Sequence, residues 1–359
     1  MSGALRDQTD SRPVLVTGGA GFIGANLAWR LAAEGTSVVL LDSLARPGVE
    51  RNVDWLRQEH GNRIRLVRGD VRDSALVREL AGGASAVFHF AAQVAVTTSL
   101  DDPMDDFTVN LGGTLQVIEA LRANPVPLIY SSTNKVYGDL ADIDLVQGPR
   151  GWHPRETRFE QRGISEERPL AFHTPYGCSK GGADQYVLDC ARSFDIPTAV
   201  LRMSCIYGPR QMGTEDQGWL AHFLIEALKG RPITIFGDGY QVRDVLFIDD
   251  AIDAYLAVWR GIDRVRGTAF NLGGGPSNAV SLRMVLDEIE RMTGREIDLR
   301  FRDWRAGDQR YFVSDTGRLH RELGFEPKVG WRDGLRRLAT WLADAHADKR
   351  ELDTAEVHR

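Results

Sequence analysis

The segment "PVLVTGGAGFIGANLAWRLAAEG", residues 13–35, constrains this chain more than any other. A short apolar strand runs into a glycine-rich turn, and the turn opens a helix-period pattern that stops at Gly35. A strand that becomes a helix over so few residues needs a permissive backbone, and Gly18, Gly21 and Gly24 stand three apart where it is needed. In a dinucleotide fold the first glycine makes the tight turn. The second lets a pyrophosphate approach the backbone, and the third lets helix and strand pack closely. The N–H groups at the helix start, Phe22 and Ile23 among them, then meet the phosphates with the positive end of the helix dipole. The next strand, "TSVVLLDSL", ends in Asp42, where a carboxylate accepts hydrogen bonds from the adenosine ribose. Its charge repels a 2′-phosphate and favours NAD over NADP, while Arg46 nearby works against that preference.

The rhythm continues down the chain. "NVDWLRQEHG", "SALVRELAGG", "NLGGTLQVIEALRA" and "PYGCSKGGADQYVLDCARSF" read as helices. Between them "IRLVRGDV", "AVFHFAAQ", "VPLIYSSTNKVYG" and "PTAVLRMSCIYGP" read as strands three to six. This alternation predicts an α/β fold, a Rossmann-type doubly wound parallel sheet with helices on both faces. After Pro209 the rhythm breaks, which predicts a smaller, intertwined C-terminal substrate-binding domain. The expected boundaries are 12–208 for the NAD-binding domain, with 240–262 packing back on it, and 209–239 plus 263–345 for the substrate domain. Residues 1–11 and 346–359 are expected as flexible tails.

Composition bounds the function. The chain has 359 residues and a formal net charge of -6, which argues against a duplex nucleic-acid surface. No apolar run approaches the ~20 residues of a membrane-spanning helix. "MSGALRDQTDSR" is too polar for a secretory signal. Cys178, Cys190 and Cys205 are an odd set without metal-ligand spacing, read as reduced thiols of a cytoplasmic protein.

In "FHTPYGCSKGGADQY", Tyr176 and Lys180 lie four apart on a predicted helix and so share a face. A free phenol ionises near pH ~10, too high for a base at neutrality, and an ammonium beside it is expected to lower that value. Gly177, Cys178, Gly181 and Gly182 are expected to leave room for a large ring. Parallel strands present the ligand crevice at their C-terminal ends. The fifth strand ends there in "SSTNKVYG", so Thr133 offers a hydroxyl to a substrate oxygen. Asp70, at the end of the third strand, has two readings: a partner for the adenine edge, or a cap for the following helix. His89 in an apolar strand and His173 before the helix lack partners at ligand spacing, so no metal is expected.

Together "TGGAGFIG", the strand-end hydroxyls before "VYG", and "PYGCSK" resemble the extended short-chain dehydrogenase/reductase family, the NAD-dependent nucleotide-sugar epimerases and dehydratases. The resemblance runs from about residue 13 to about residue 340. It implies Tyr176 as base, Lys180 as its partner and a donor to the nicotinamide ribose, and Thr133 as the third catalytic member. It also puts Asp70, Val71, Ala91 and Gln93 along the cofactor. Thr133, Asn134, Arg243, Arg305 and Asp308 are implied at the nucleotide sugar, with Arg243 and Arg305 on its diphosphate and Asp308 on its ribose. Arg210, Arg310, Asn278 and Trp219 are weaker candidates. The family's dehydratases carry an Asp-Glu pair immediately after the strand-end Thr; here stand Asn134 and Lys135, which cannot do carboxylate work. An epimerase that recycles tightly held NAD is therefore expected. The stretches "QVAVTTSLDDP", "SSTNKVYGDL", "DQGW" and "QVRDVLF" are closest to a branch that oxidises C2 of a CDP-sugar, whereas most members oxidise C4. A 4-epimerase or dehydrogenase of another nucleotide sugar, and a non-catalytic NAD-binding regulator, stay open. The family also implies a homodimer or homotetramer packed through the helices near Asn110 and Tyr176.

Overall fold

The computed structural model describes residues 11–356. Seven parallel strands form the main sheet: β1 (Val14–Thr17), β2 (Val38–Asp42), β3 (Ile64–Arg68), β4 (Ala86–His89), β5 (Leu128–Thr133), a sixth at Thr198–Met203 and a seventh at Thr268–Leu272. Their spatial order is seventh, sixth, β5, β4, β1, β2, β3. The order reverses between β1 and β4, and the crevice outside the strand ends at such a switch is where α/β folds bind ligands.

Both faces of the sheet are covered, which is why its strands are runs of Val, Leu and Ile rather than alternating patterns. Side chains alternate across the sheet: Val14 and Val16 join one core with Leu40, Phe88 and Leu201, while Leu15 joins the other with Val39, Val87 and Val200. The first core packs under α1 (Phe22–Ala33), α2 (Glu50–His60) and the helix Ile248–Arg260. The second packs under α3 (Ser74–Gly82) and the helices Gly113–Arg122 and Thr174–Ser193.

The remaining chain builds a smaller layer over the crevice. Strand Val242–Phe247 pairs with Cys205–Tyr207, Ala279–Ser281 and Tyr311–Phe312, and Ile233–Phe236 pairs with Leu299–Arg302.

Three expectations need correction. The seventh strand of the nucleotide sheet lies inside 263–345, the stretch assigned to the substrate domain, because its pairing with the sixth strand places it at the sheet edge. Within 240–262, Ile248–Arg260 does pack on α1, but the strand before it belongs to the smaller layer. The last helix, Trp331–Glu356, extends through most of the expected tail 346–359, since no Gly or Pro follows Gly334 to stop it. Residues 1–10 and 357–359 of the two expected tails lie outside the described residues. Among the described residues no helix is long and apolar enough to cross a membrane.

Candidate active site

The glycine turn is built around a backbone conformation and two close approaches. Gly18 has φ +65°, and a Cβ there would sit 2.7 Å from the Ala91 backbone nitrogen. At Gly24 a Cβ would collide with the Gly18 carbonyl oxygen. Gly21 caps α1 with no side chain on its orphan N–H groups and no acidic residue in the first turn. The turn therefore presents unpartnered donors and open room, which fits a pyrophosphate. Asp42 braces it: one carboxylate oxygen accepts from the Ala20 N–H and the other from Leu44, both at 2.9 Å. Burial raises the Asp42 pKa, and the N–H groups of Leu44, Ala20 and Gly21 oppose that shift.

Arg46 does not await a 2′-phosphate. Its guanidinium donates to the Met212 carbonyl at 2.7 Å and to the Gln217 side chain. Asp70 is no helix cap either; Asp73 caps α3 through the Ala75 and Leu76 N–H groups. Instead Asp70 pairs with Arg72 at 2.6 Å, and that hydrogen bond holds its carboxyl below the usual range. Val71 is buried against Gly113, Ala91 lies on the glycine turn, and Gln93 donates to the Ala95 carbonyl at 2.8 Å. Phe22 and Ile23 open onto the cleft.

Thr133, Tyr176 and Lys180 converge at the strand ends, all of them buried. The helix carrying the latter two starts at Thr174 with Pro175 in its first turn, a position where a missing N–H costs nothing. The expected lowering of the phenol is absent. Burial pushes Tyr176 up to about 12, the Thr133 hydroxyl pulls it back in part, and the Asp106 carboxylate raises it further. Lys180 does not act on the phenol because its ammonium is turned to the Ser131 carbonyl at 2.6 Å, 4.3 Å from the Tyr130 ring centroid. Burial lowers Lys180 to about 7, against the pull of Asp184 and Asp106. The small residues also differ from expectation. A Cβ at Gly181 would collide with the Phe172 ring, so Gly181 serves packing; Gly182 faces Leu111, and Cys178 is exposed.

Opposite lies a cleft of about 380 Å³ lined by Thr133, Asn134, Tyr176, Arg243, Arg305 and Asp308. Arg243 donates to Asp308 at 2.8 Å. Lys135 reaches the Gly307 carbonyl at 2.9 Å and Asp308 at 3.7 Å, and Asn134 donates to Gln309 at 3.2 Å. Arg305 stacks 3.7 Å from the Phe236 ring centroid and pairs with Glu215 and Asp216. Trp219 lines this cleft. The other weak candidates are placed elsewhere. Arg210 stacks on Trp55 and Trp341, Arg310 on Trp152 and Trp304, and Asn278 ties the backbone of Val329 and Trp331.

The sequence reading missed Lys135 as a cleft cation, Phe236, the acidic pair Glu215–Asp216, and the braces behind the site. Asp184, on the Tyr176 helix, is gripped by both arms of Arg202 at 2.9 Å and accepts from Ser132 at 2.7 Å. Arg202 also reaches Tyr137, whose hydroxyl donates to Asn271 at 2.7 Å. The spacing from Lys180 to Asp184, four residues on one helix, is the signal that was there to be read. His89 is held between Thr17 and Thr114, and burial, helped by Lys180, lowers it to about 3. His173 is exposed and faces Asp139 at 3.6 Å. Among the described residues no group of three or more His, Cys, Asp or Glu could hold a metal ion.

Residues 14–273 match the NAD dependent epimerase/dehydratase family. The chain is 41% identical over 345 residues to the CDP-paratose 2-epimerase of Salmonella typhi, covering 92% of this chain and 99% of that protein. It is 33% identical to the UDP-glucose 4-epimerase of Mycolicibacterium smegmatis, covering 89% and 95%. The solved UDP-glucuronic acid 4-epimerase of Bacillus cereus, in complex with UDP-glucuronic acid and NAD, superposes with a TM-score of 0.80 at 28% identity, covering 93% and 99%.

Proposed function

From the fact that this chain belongs to the NAD dependent epimerase/dehydratase family, as an NAD-dependent nucleotide-sugar epimerase, we propose that it inverts C2 of a CDP-deoxysugar, interconverting CDP-paratose and CDP-tyvelose. The observation that carries this reading is the pair after Thr133. Asn134 and Lys135 occupy the dehydratase carboxylate positions, and both are engaged, with Gln309 and with Gly307 and Asp308. Neither is a carboxylate, so the Asp-Glu pair that the resemblance gives the dehydratases is missing here. Reversible oxidation at one carbon is what remains. The likeness to a CDP-paratose 2-epimerase over nearly the whole chain supports the base and the carbon.

In this reading Thr133 holds the reacting hydroxyl, and Tyr176 takes its proton and later gives it back. When bound, NAD supplies the hydride acceptor that returns the hydride, and its positive ring favours the Tyr176 phenolate. Gly18, Gly21, Gly24 and the N–H groups of Phe22 and Ile23 would hold its pyrophosphate, Asp42 its adenosine ribose, and Lys180 its nicotinamide ribose. Asp70, Val71, Ala91 and Gln93 would line the rest of it. Arg243 and Arg305 meet the substrate diphosphate, which replaces the carboxylates now paired with them, and Asp308 the substrate ribose.

The protein is proposed to act as a homodimer in the cytoplasm. Leu100, Met104, Phe107 and Tyr186 are 49%, 64%, 45% and 53% exposed on neighbouring helices, an apolar face that suits a second copy. All three cysteines are free, as in a reducing compartment. The test is NMR of purified protein with CDP-, UDP-, GDP- and dTDP-sugars. Interconversion of the CDP-paratose pair, without NADH release, is expected. Turnover at C4 of a UDP-sugar with the CDP pair inert would overturn the substrate assignment. NADH appearing once per turnover would make the protein a dehydrogenase.

A further inference from the structure

The helix leading to Asn110 is interrupted. Pro103–Phe107 is α-helical, Thr108–Gly112 makes a π-turn, and Gly113–Arg122 resumes the α-helix. Such wide turns concentrate at functional sites. This one sets Asp106 and Asn110 facing inward beside the Tyr176 helix, and Asp106 is 0% exposed. The Asp106 Oδ1 accepts from Asn110 Nδ2 at 2.9 Å and from Gln93 Nε2 at 3.2 Å, and the Ser179 hydroxyl bonds the same carboxylate, so these donors are all neutral. A buried carboxylate without a cation is costly unless a charge nearby balances it.

Lys180 is the complementary case. Its ammonium is buried, and its hydrogen bond goes to a carbonyl rather than a carboxylate. The groups facing it are Tyr176 and Asp184 on its own helix, Tyr130 from β5, His89 from β4, and Asp106. Tyr130 and His89 are kept neutral by burial. Asp184 is already matched by both arms of Arg202. Around Asp106 itself stand Asp105, Ser179, Asn110 and Gln93. A buried carboxylate held by neutral donors and a buried ammonium held by a carbonyl thus stand on two helices that pack together, Pro103–Phe107 and Thr174–Ser193.

We propose that Asp106 is the counterion of Lys180, a positioning residue that acts through the lysine by keeping its ammonium charged in a desolvated site, and that holds Gln93 with the same carboxylate. The consequence has a definite sign. Removing the negative charge makes Lys180 easier to deprotonate and the Tyr176 phenol easier to ionise, so both limbs of a bell-shaped rate profile move toward acid. A merely structural residue lowers the height of the profile and leaves its limbs in place.

The chain has five lysines, so a holoenzyme labelled with [ε-13C]lysine gives a spectrum in which Lys180 is assigned by its loss in Lys180→Met. In Asp106→Asn the Lys180 midpoint is expected to fall by at least ~0.5 pH unit, and the kcat profile to shift the same way. Asp106→Glu, which keeps the charge, should restore both. An unmoved Lys180 midpoint in a folded Asp106→Asn protein overturns the proposal. Should that variant not fold, the wild-type spectrum decides: the Lys180 signal must show a second inflection where Asp106 ionises, and a single inflection contradicts the coupling. The inference rests on Lys180 as the proposed catalytic lysine. The titration needs no substrate, so a wrong sugar assignment leaves it standing.

Discussion

The proposed dinucleotide cradle takes its parts from one short stretch, residues 18–24, and one carboxylate at the end of the next strand. The proposed sugar-nucleotide side takes Asn134 and Lys135 from beyond β5, Arg243 from a strand of the smaller layer, and Arg305 and Asp308 from a late loop. The cradle works through backbone N–H groups and the absence of side chains. The cleft works through charged side chains, already paired with one another: Arg243 with Asp308, and Arg305 with Glu215 and Asp216. A backbone site tolerates little change at its glycines and is indifferent to much else. A side-chain site can be retuned one residue at a time, which is how one fold serves many sugars.

The largest expected effect lies where the two sides meet. Tyr176→Phe removes the proposed proton carrier and keeps the ring, so kcat should fall by at least ~100-fold. NAD content after purification should be unchanged. Near-normal turnover would mean that the phenol belongs to neither side's chemistry.

The next pair separates the sides. Arg243→Met leaves the cradle intact and removes a charge-assisted contact worth about 1.5–3 kcal/mol, so KM should rise by about 10- to 100-fold with NAD content unchanged. Gly18→Ala does the reverse. It forces a Cβ onto φ +65° and against the Ala91 backbone nitrogen, and should cost about 1–2 kcal/mol of stability from the backbone alone, with NAD lost on purification. Thermal unfolding and cofactor release on denaturation read both. If Arg243→Met loses NAD and Gly18→Ala retains it, the division is wrong.

The sequence was legible where function sits in consecutive residues. The positions of the glycine turn, Asp42, the strand-end Thr133 and the Tyr176–Lys180 helix pair follow from local spacing, and their proposed roles from the family resemblance. The main sheet was legible in its first six strands, because β-α alternation repeats. Its seventh, Thr268–Leu272, was hidden by the intervening smaller layer. Arg46 could not be read from its position near Asp42, since its partners, Met212 and Gln217, lie far along the chain. The sign of the Tyr176 shift was lost for the same reason: the direction in which Lys180 turns depends on where β5 places the Ser131 carbonyl.

A further predicted effect concerns that lysine in protein freed of NAD. Lys180 titrates near 10.5 in the unfolded chain and at about 7 when folded. Between those values the unfolded chain binds the proton better, so stability gained from this group rises with pH, by at most about 1.4 kcal/mol per unit. Wild type minus Lys180→Met, measured by urea unfolding from pH 7 to 10, should slope upward and flatten below 7. Tyr176 opposes this trend only above pH 10. A flat difference would show that Lys180 is solvated as well in the fold as outside it.

The central claim is that the cradle side moves a hydrogen without exposing it to water while the cleft side fixes which carbon is used. It is tested most directly by incubating CDP-paratose with the enzyme in heavy water. The account predicts CDP-tyvelose with no deuterium at C2, and full retention of label when C2 starts deuterated. Solvent deuterium appearing at C2 during turnover would contradict it.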